Sequence, residues 1–502
     1  MDNVDIVLFS TSPDIHTPAR TLGVYRIAHL LRQQGFKVKV IDFIYPLLKE
    51  YKEQLFLYLN EICSQHTLFA FSTTFFLEFI KIENMMNVED MKIPGWRRVS
   101  TRSYIRKNNS ENKQINIDEN LLDLFDFIKS DFNTAKIIMG GYGGASQTIF
   151  DQCPIDHWIM GYAEEFTVSI INQILVGDEL PKIINTTSSN WNFRESGSCF
   201  DIEDNIFSGE TLPIELSRGC MFKCKFCSYP LLGRKPEDKY LKKQDCIFNE
   251  MMHNYENFGT TNYLMMCDTL NESTQKLLHI KSAMNKFKKE TGENMRYCAY
   301  MRLDLLERFP EQIEILNEMG IRAAHFGIES LNYPSAKSVG KGLKTEKIYR
   351  TLEKCRDTWP SDTIMFSGFI VGLPHETRET ATEWCNILLN RQIALTCWKL
   401  VPLSMQIKNI SNNVQYLSEF DQNAENYGYD RSGDEWKNEH WTFSEAKNFA
   451  ENWSQKFIDN KSYSSGHSWN SVVRLSDYLK NGDKKENAKK FYEKYKNKLF
   501  ME

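Results

Sequence analysis

Short apolar runs alternate with amphipathic stretches over the first 180 residues. "VDIVLFS" (4–10) predicts a buried strand. Residues 20–34, "RTLGVYRIAHLLRQQ", repeat their apolar positions with helical spacing, and Gly35 follows as a helix stop. "FKVKVIDF" (36–43) and "TLFAFSTT" (67–74) predict two more strands, with a helix between them. "AKIIMGGYGG" (135–144) reads as a strand running into a glycine-rich loop, and "DHWIMGYAEE" (156–165) as a strand ending at another glycine. Strands alternating with helices predict a doubly wound parallel sheet covered on both faces. Such sheets bind ligands at the carboxyl ends of their strands. Residues 83–117, with "RKNNSENKQ" at 106–114, interrupt the pattern and read as an exposed polar insertion. Residues 176–212 are also polar and irregular, and 181–212 reads as a linker.

A second alternating series begins at 213. Its predicted strands are "PIELSR" (213–218), "NYLMMCD" (262–268), "MRYCAYM" (295–301), "AAHFGIE" (323–329), "IMFSGFIVG" (364–372) and "LTCWKLVPL" (395–403), with helices between them, as at 307–319 and 345–356. Six βα units predict a partial barrel over 213–404, its chemistry at the carboxyl ends of the strands. From 405 to 502 the chain turns rich in Asn, Trp, Tyr and Lys and ends in "NGDKKENAKKFYEKYKNKLF". This region is expected to be mainly helical and to close over a substrate. The Lys/Glu run reads as a solvated helix face, with a basic contact surface as the other reading. Trp436, Trp441 and Trp453 read as core residues or as lining for that substrate.

Composition narrows the class. At 502 residues the chain can build more than one core. It is 41% hydrophobic and 25% charged with a formal net charge of −5, which argues against a protein built around a nucleic-acid backbone. The opening "MDNVDIVLFS" lacks a secretory pattern, and no apolar run reaches the ~18 residues of a membrane span. The expected compartment is a reducing cytoplasm, where clustered cysteines more often hold metal than form disulfides.

The chain carries twelve cysteines, three of them in "RGCMFKCKFCSY" (218–229): Cys220, Cys224 and Cys227. Structural zinc prefers four ligands in paired motifs, and no second CxxC is present, although Cys199 or Cys246 could supply a distant ligand. Catalytic zinc sites are usually His-rich, and no His lies near this loop. A [4Fe–4S] cluster suits three thiolates better, since one iron then stays open to another ligand. Cys267, Cys298, Cys355, Cys385 and Cys397 read as small core residues.

The C-x3-C-x2-C spacing, with Phe226 before the last Cys and the loop following the first strand of a six-unit βα series, resembles the radical S-adenosylmethionine (SAM) superfamily. The resemblance implies that the open iron binds SAM and that an electron from the cluster cleaves it to a 5′-deoxyadenosyl radical. It extends along the strand ends through Asp268 in "MMCDTLNES", Arg302 in "MRLD", Glu329 in "FGIES" and "GFIVGLPHET" (368–377), which is similar to the family's GxIxGxP segment. In this reading Phe226, next to the last cluster cysteine, contacts SAM. Asp268 and Glu329 accept hydrogen bonds from the ribose or ammonium of SAM. Arg302 pairs with its carboxylate. Gly368 and Ile370 lie against the adenine. Structural ion pairing between loops is the other reading of the charged residues.

"GGYGGASQT" (140–148) and "IDHWIMGYAEEFT" (155–167) resemble the cobalamin-binding domain of B12-dependent radical SAM enzymes, with "GYAEE" standing where the family has "GEGE". A corrin is broad and flat, so backbone without side chains at Gly140, Gly141, Gly143 and Gly161 would admit it. Ser72, Thr73 and Thr74 would bond its nucleotide tail. "DIHTPA" is similar to the D-x-H-x-x-G cobalt-ligand motif but ends in Ala19, so His16 reads either as a cobalt ligand or as a loop residue before a helix. The methylthiotransferase group has three extra N-terminal cysteines. This region has only Cys63 and Cys153.

The resemblance thus implies a radical SAM enzyme that uses a [4Fe–4S] cluster, SAM and cobalamin to methylate or rearrange an unactivated carbon. Its implied partners are a small-molecule or peptide substrate and a flavodoxin- or ferredoxin-like electron donor. Two alternatives stay open. In one, the radical SAM barrel works without cobalamin and residues 1–180 serve as a substrate or partner platform. In the other, the chain is a non-enzymatic, metal-stabilised binding module.

Overall fold

The computed structural model describes residues 3–12, 18–73, 80–82, 115–141, 147–186, 191–227, 240–405, 418–433, 435–460 and 484–500. In the first half, the strands are β1 (Ile6–Phe9), β2 (Val38–Ile41), β3 (Leu68–Ser72), β4 (Ile80–Ile82), β5 (Ile115–Ile117), β6 (Ile137–Gly141), β7 (His157–Gly161) and β8 (Ile183–Thr186). Six of them form a wholly parallel sheet in the order β2–β1–β3–β6–β7–β8. β4 and β5 pair with each other in an antiparallel ribbon at the base of the polar insertion. Residues 83–114 of that insertion lie outside the described residues.

Successive side chains of a strand point to opposite faces, and here they enter two different cores. Ile6, Leu8, Val38, Val40 and Ile138 share one with the helices Leu22–Arg32 and Thr167–Val176. Val7, Phe9, Phe69, Phe71, Ile137 and Met139 share the other with the helices Ile44–Ile62 and Glu119–Asp131. The first core runs on through Phe200, Ile206 and Leu212 into the second half of the chain. One face of the first sheet is therefore continuous with the next unit.

That unit is a second parallel sheet: β9 (Leu212–Ile214), β10 (Asn262–Met265), β11 (Arg296–Met301), β12 (Ile321–Glu329), β13 (Ile364–Val371) and β14 (Thr396–Pro402). Neighbours in sequence are neighbours in space, with β9 and β14 at the two edges. This is an open, partial barrel of six βα units, so the α/β fold class read from the pattern holds for both halves.

The linker reading needs correction. Residues 183–186 are the sixth strand of the first sheet, and 193–212 is largely buried. Its polar residues serve Arg20, whose side chain, like that of Glu210, is fully buried. The guanidinium donates to both Glu210 carboxylate oxygens (2.7 and 3.0 Å), to Tyr25 Oη (2.9 Å) and to the carbonyls of Asp204 (3.1 Å) and Asn205 (2.8 Å). A buried charge needs such partners, and polar residues that supply them look in sequence like a solvated segment.

The described parts of the C-terminal region are mainly helical and pack on both halves of the molecule. The helix Phe443–Asp459 starts at a Thr442/Glu445 capping box and packs on β14 and β13. Trp436, Trp441 and Trp453 belong to the core, and the indoles of Trp436 and Trp441 donate to the carbonyls of Leu403 (2.8 Å) and Glu376 (2.7 Å). The last helix, Lys484–Phe500, crosses back to the first sheet. Its Ala488, Phe491, Tyr492, Tyr495 and Leu499 recur at helical spacing and are buried, so the run carries an apolar stripe beneath its lysines. Phe43 meets Phe491 and Tyr495 edge-to-face, and Tyr495 Oη accepts the Asp42 N–H at 3.0 Å. Among the described residues no helix is long and apolar enough to cross a membrane.

Candidate functional site

The three-cysteine loop leaves the end of β9 and is closed at its base. Ser217 bridges Leu241, Arg218 N–H donates to the Tyr240 carbonyl (2.9 Å), and Lys242 N–H to that of Leu216 (3.0 Å). Residues 228–239 of the loop lie outside the described residues. Gly219 turns the chain with φ of 86°, a conformation that costs other residues strain, and its N–H is bonded to Asp268. Cys220 then enters the interior, its Sγ 3.4 Å from Thr269 Oγ1, and burial pushes its thiol up. Glu272 accepts the Met221 N–H (3.0 Å) and pairs with buried Lys276 (2.8 Å). Cys224 and Cys227 are half-buried, joined by a turn in which Cys227 N–H donates to the Cys224 carbonyl (3.0 Å). None of the three is in a disulfide.

These residues fit the thiolate chemistry of an iron–sulfur cluster. Arg302 Nη1 donates to Cys224 Sγ at 3.3 Å, and the Thr269 hydroxyl faces Cys220. A cation and a hydroxyl aimed at sulfur stabilise the anionic ligand and tune a bound cluster. Cys199, one candidate for a fourth zinc ligand, is packed in the apolar core instead. Among the described residues, no three His, Cys, Asp or Glu side chains are grouped to hold a single metal ion.

Arg302 is placed differently from the expectation that it pairs with a SAM carboxylate. Its Nε and Nη2 form a two-point pair with Asp304 (3.0 and 2.6 Å), and Nη2 also donates to the Gly340 carbonyl (3.0 Å). The guanidinium lies 4.1 Å from the Phe222 ring centroid. Burial would raise the Asp304 carboxyl, but Arg302 holds it below its ordinary range. The fork that sequence offered to a ligand is thus satisfied within the protein.

Asp268 follows the end of β10, Glu329 ends β12, and Gly368 and Ile370 lie in the second half of the neighbouring β13. Burial first, and Glu215 second, push the Asp268 carboxyl up to about 6. Glu329 ends β12 with φ of 68° and sits 3.6 Å from Lys341 Nζ. Gly327, Gly368 and Lys399 pair side by side across β12, β13 and β14. A Cβ at Gly368 would lie 2.8 Å from Lys399 Cε, and one at Gly327 2.7 Å from Lys341 Nζ. The two glycines make a trough in which both lysines lie. Burial lowers the Lys399 ammonium, opposed by Glu329, and burial with Lys399 and Lys341 drives His325 well below its ordinary range. The imidazole sits between the rings of Tyr300 and Phe366. Phe226 is partly buried against the core, and Ile370 is buried. A small cleft is lined by Asp304, Gly327, Ser330 and Lys341.

Sequence reading passed over Lys341, Lys399 and His325, and Arg218 just before the first cysteine. A lone Lys inside the apolar run "LTCWKLVPL" was the available signal for Lys399. It also passed over Glu376, which is wholly buried. Glu376 accepts Ser330 Oγ (3.0 Å), Trp384 Nε1 (3.2 Å) and Gly372 N–H (2.9 Å), so it ties the loop after β13 to the end of β12.

The carboxyl ends of the first sheet hold Ser72, Thr73, Gly140, Gly141 and Gly161. Thr73 is spent on its neighbour, its N–H (2.8 Å) and hydroxyl (3.2 Å) both donating to the Gly140 carbonyl. Gly141 and Gly161 have φ of 130° and 109°. A Cβ at Gly140 would make only ordinary contact, 3.6 Å from the Ile159 carbonyl oxygen, so nothing in the fold demands glycine there. Bare backbone at the ends of β6 and β7 fits a broad, flat ligand. Thr74, Gly143 and His16 lie outside the described residues. After Gly161, the "GYAEE" loop reaches the barrel, where Glu164 and Glu215 both pair with Arg218 at 2.8 Å.

Residues 214–387 match the model of the Radical SAM superfamily. The hopanoid C-2 methylase of Rhodopseudomonas palustris is 26% identical over 183 residues, 36% of this chain and 34% of that protein. An uncharacterized methyltransferase of Pyrococcus horikoshii is 24% identical over 165 residues, 32% of this chain and 33% of its own length. The chain thus matches about a third of each of these two relatives. Among solved structures, the radical SAM methyltransferase TsrM of Kitasatospora setae superposes with a TM-score of 0.54 at 14% identity, covering 80% of this chain and 73% of TsrM. OxsB, a cobalamin-dependent SAM radical enzyme, gives a TM-score of 0.54 at 15% identity, covering 84% of this chain and 56% of OxsB. With its three clustered cysteines, none in a disulfide, on the loop after the first barrel strand, the segment 214–387 is a radical SAM domain, set in a fold of two parallel sheets like that of TsrM and OxsB.

Proposed function

We propose that this protein is a radical SAM enzyme that transfers a methyl group to, or rearranges, an unactivated carbon with the help of cobalamin. The observation that carries the reading is the loop 218–227, with three clustered cysteines outside any disulfide, an arginine on Cys224 and a hydroxyl on Cys220, at the mouth of the partial barrel. When bound, the [4Fe–4S] cluster supplies the electron that breaks a carbon–sulfur bond of SAM, giving methionine and the 5′-deoxyadenosyl radical, and cobalamin supplies the methyl group. Cys220, Cys224 and Cys227 would ligate the cluster. Arg302 would hold Cys224 as thiolate, and Thr269 would do the same for Cys220.

Asp268 and Glu329 would accept hydrogen bonds from the ribose or ammonium of SAM, and Ile370, next to the trough that the two lysines fill, would lie against its adenine. With Arg302 occupied by Asp304, the lumen lysines Lys341 and Lys399 are the better partners for an anionic group. Gly140, Gly141 and Gly161 would leave room for the corrin. The names of the relatives and the cobalamin of OxsB support the methyl-transfer reading. A flavodoxin- or ferredoxin-like protein would deliver the electron.

The test is anaerobic. Protein from cells supplied with hydroxocobalamin is reconstituted with iron and sulfide, reduced in the presence of SAM, and assayed for 5′-deoxyadenosine and for corrinoid after cyanide extraction. We expect both products from the wild type and no 5′-deoxyadenosine from the triple Cys→Ala variant. Cleavage persisting in that variant refutes the cluster assignment. Cleavage without bound corrinoid would leave the radical chemistry and make the first sheet a platform.

A further inference from the structure

Arg218 stands between the two places where the proposed cofactors would sit. Its backbone closes the base of the cysteine loop, and the next two residues are Gly219 and Cys220. Its guanidinium takes Glu215 of the barrel in a two-point pair, Nε to one oxygen and Nη2 to the other, both at 2.8 Å. Nη2 also reaches Glu164 of the first sheet's "GYAEE" loop at 2.8 Å. Tyr162 of the same loop lies over the guanidinium, 4.6 Å from ring centroid to Cζ, with the rings of Phe193 at 5.0 Å and Trp191 at 5.5 Å. Arg218 and Glu164 are 10% and 8% exposed, so this contact is screened little by water.

The loop that bonds Arg218 is the same one that turns away from β7 at Gly161. A group laid on the end of β7 would press on Gly161, and the displacement would pass through Tyr162 and Glu164. A planar fork bonded on both sides transmits orientation, which a point charge on a flexible stem does not. The shortest covalent route onward, through Gly219, ends on a cluster ligand. Gly219 also donates to Asp268, so a shift of the loop base moves that carboxylate too.

We propose that Arg218 is a positioning residue coupling the Gly161 loop of the first sheet to the iron–sulfur loop, so that a corrinoid on the first sheet is sensed at the cluster. The inference rests on the functional reading above but adds a coupling that the reading does not require. Removing one partner of a group that orients metal ligands typically lowers activity 10- to 100-fold.

The experiment compares wild type, Arg218→Lys and Glu164→Gln as full-length, reconstituted protein. Iron content, the electron paramagnetic resonance spectrum of the reduced cluster with SAM, and the rate of 5′-deoxyadenosine formation are measured with and without added hydroxocobalamin. In the wild type, the corrinoid is expected to change the SAM-bound cluster signal. In both variants, iron content is expected to be retained, that response lost, and 5′-deoxyadenosine formation slowed by about tenfold. Glu164→Gln is the decisive variant, because Glu164 belongs to the other sheet and touches no cluster ligand, so a mere brace would leave the signal unmoved. Variants that keep the wild-type response overturn the coupling and leave the enzyme assignment intact. A wild type whose signal ignores the corrinoid overturns the coupling as well. A wild type that forms no 5′-deoxyadenosine overturns the enzyme assignment, and the coupling with it.

Discussion

Glu376 makes the stability of the barrel depend on pH in a way that can be worked out from its surroundings. Its carboxyl is wholly buried, and burial is the dominant influence on it, pushing it up to about 7 from an ordinary 4.5. The donors Gly372 N–H, Ser330 Oγ and Trp384 Nε1 favour the ionised form but only partly offset that burial. Between pH 4.5 and about 7 the folded protein therefore holds a proton there that the unfolded chain has lost. Stability must fall as pH rises through that window. At about 1.4 kcal/mol per pH unit the whole interval amounts to about 3 kcal/mol, and between pH 5 and pH 8 to about 2.5 kcal/mol. Glu376→Gln removes the titration. Its amide NH2 meets a set of donors and costs a fixed amount of about 1–3 kcal/mol. Urea unfolding followed by tryptophan fluorescence at pH 5 and pH 8 separates the two effects. We expect wild type to lose about 2.5 kcal/mol more than the variant between the two pH values, because every other titrating group cancels in the difference. Parallel losses in the two proteins would refute the reasoning, and would mean that Glu376 is ionised in the folded protein across the range.

Three further outcomes follow from the packing. Gly368→Ala puts a Cβ 2.8 Å from Lys399 Cε, so the lysine must leave the trough; SAM affinity measured by equilibrium dialysis should fall about tenfold, about 1.4 kcal/mol, while the fold survives. Arg302→Met removes the cation from Cys224 and leaves Asp304 half-buried without its partner, so iron should be lost to a chelator about tenfold faster at unchanged secondary structure. Tyr495→Phe leaves the buried Asp42 N–H without its acceptor, costing about 1–3 kcal/mol, which hydrogen exchange should register as faster opening of the last helix and of the end of β2.

Much of the architecture was readable because period and punctuation agreed. The run "VDIVLFS" gave β1, and "AAHFGIE" and "IMFSGFIVG" gave most of β12 and β13, since strands buried on both faces are continuously apolar. The cysteine loop was readable for a different reason: thiolate spacing is a local property of the chain. What failed was the linker reading, which equated polar with exposed. Residues 193–212 are polar because Arg20 is buried among them, and the Lys/Glu run at the C-terminus hides a stripe of Ala488, Phe491, Tyr495 and Leu499. Polar side chains report that a partner is needed, and sequence does not say whether the partner is water or another residue.

The sequence alone determined two parallel α/β units, where the three clustered cysteines stand, and which strand ends lack side chains. All of these follow from periodicities and spacings of a few residues. Only the tertiary structure decided which charges meet. It gave Arg302 to Asp304 and Cys224 rather than to a ligand, brought Lys341 and Lys399 over Gly327 and Gly368, and set Glu164 against Arg218 across 54 residues of chain. Long side chains take their partners from whatever the packed backbone brings within about 3 Å, and that proximity exists only after both sheets have formed.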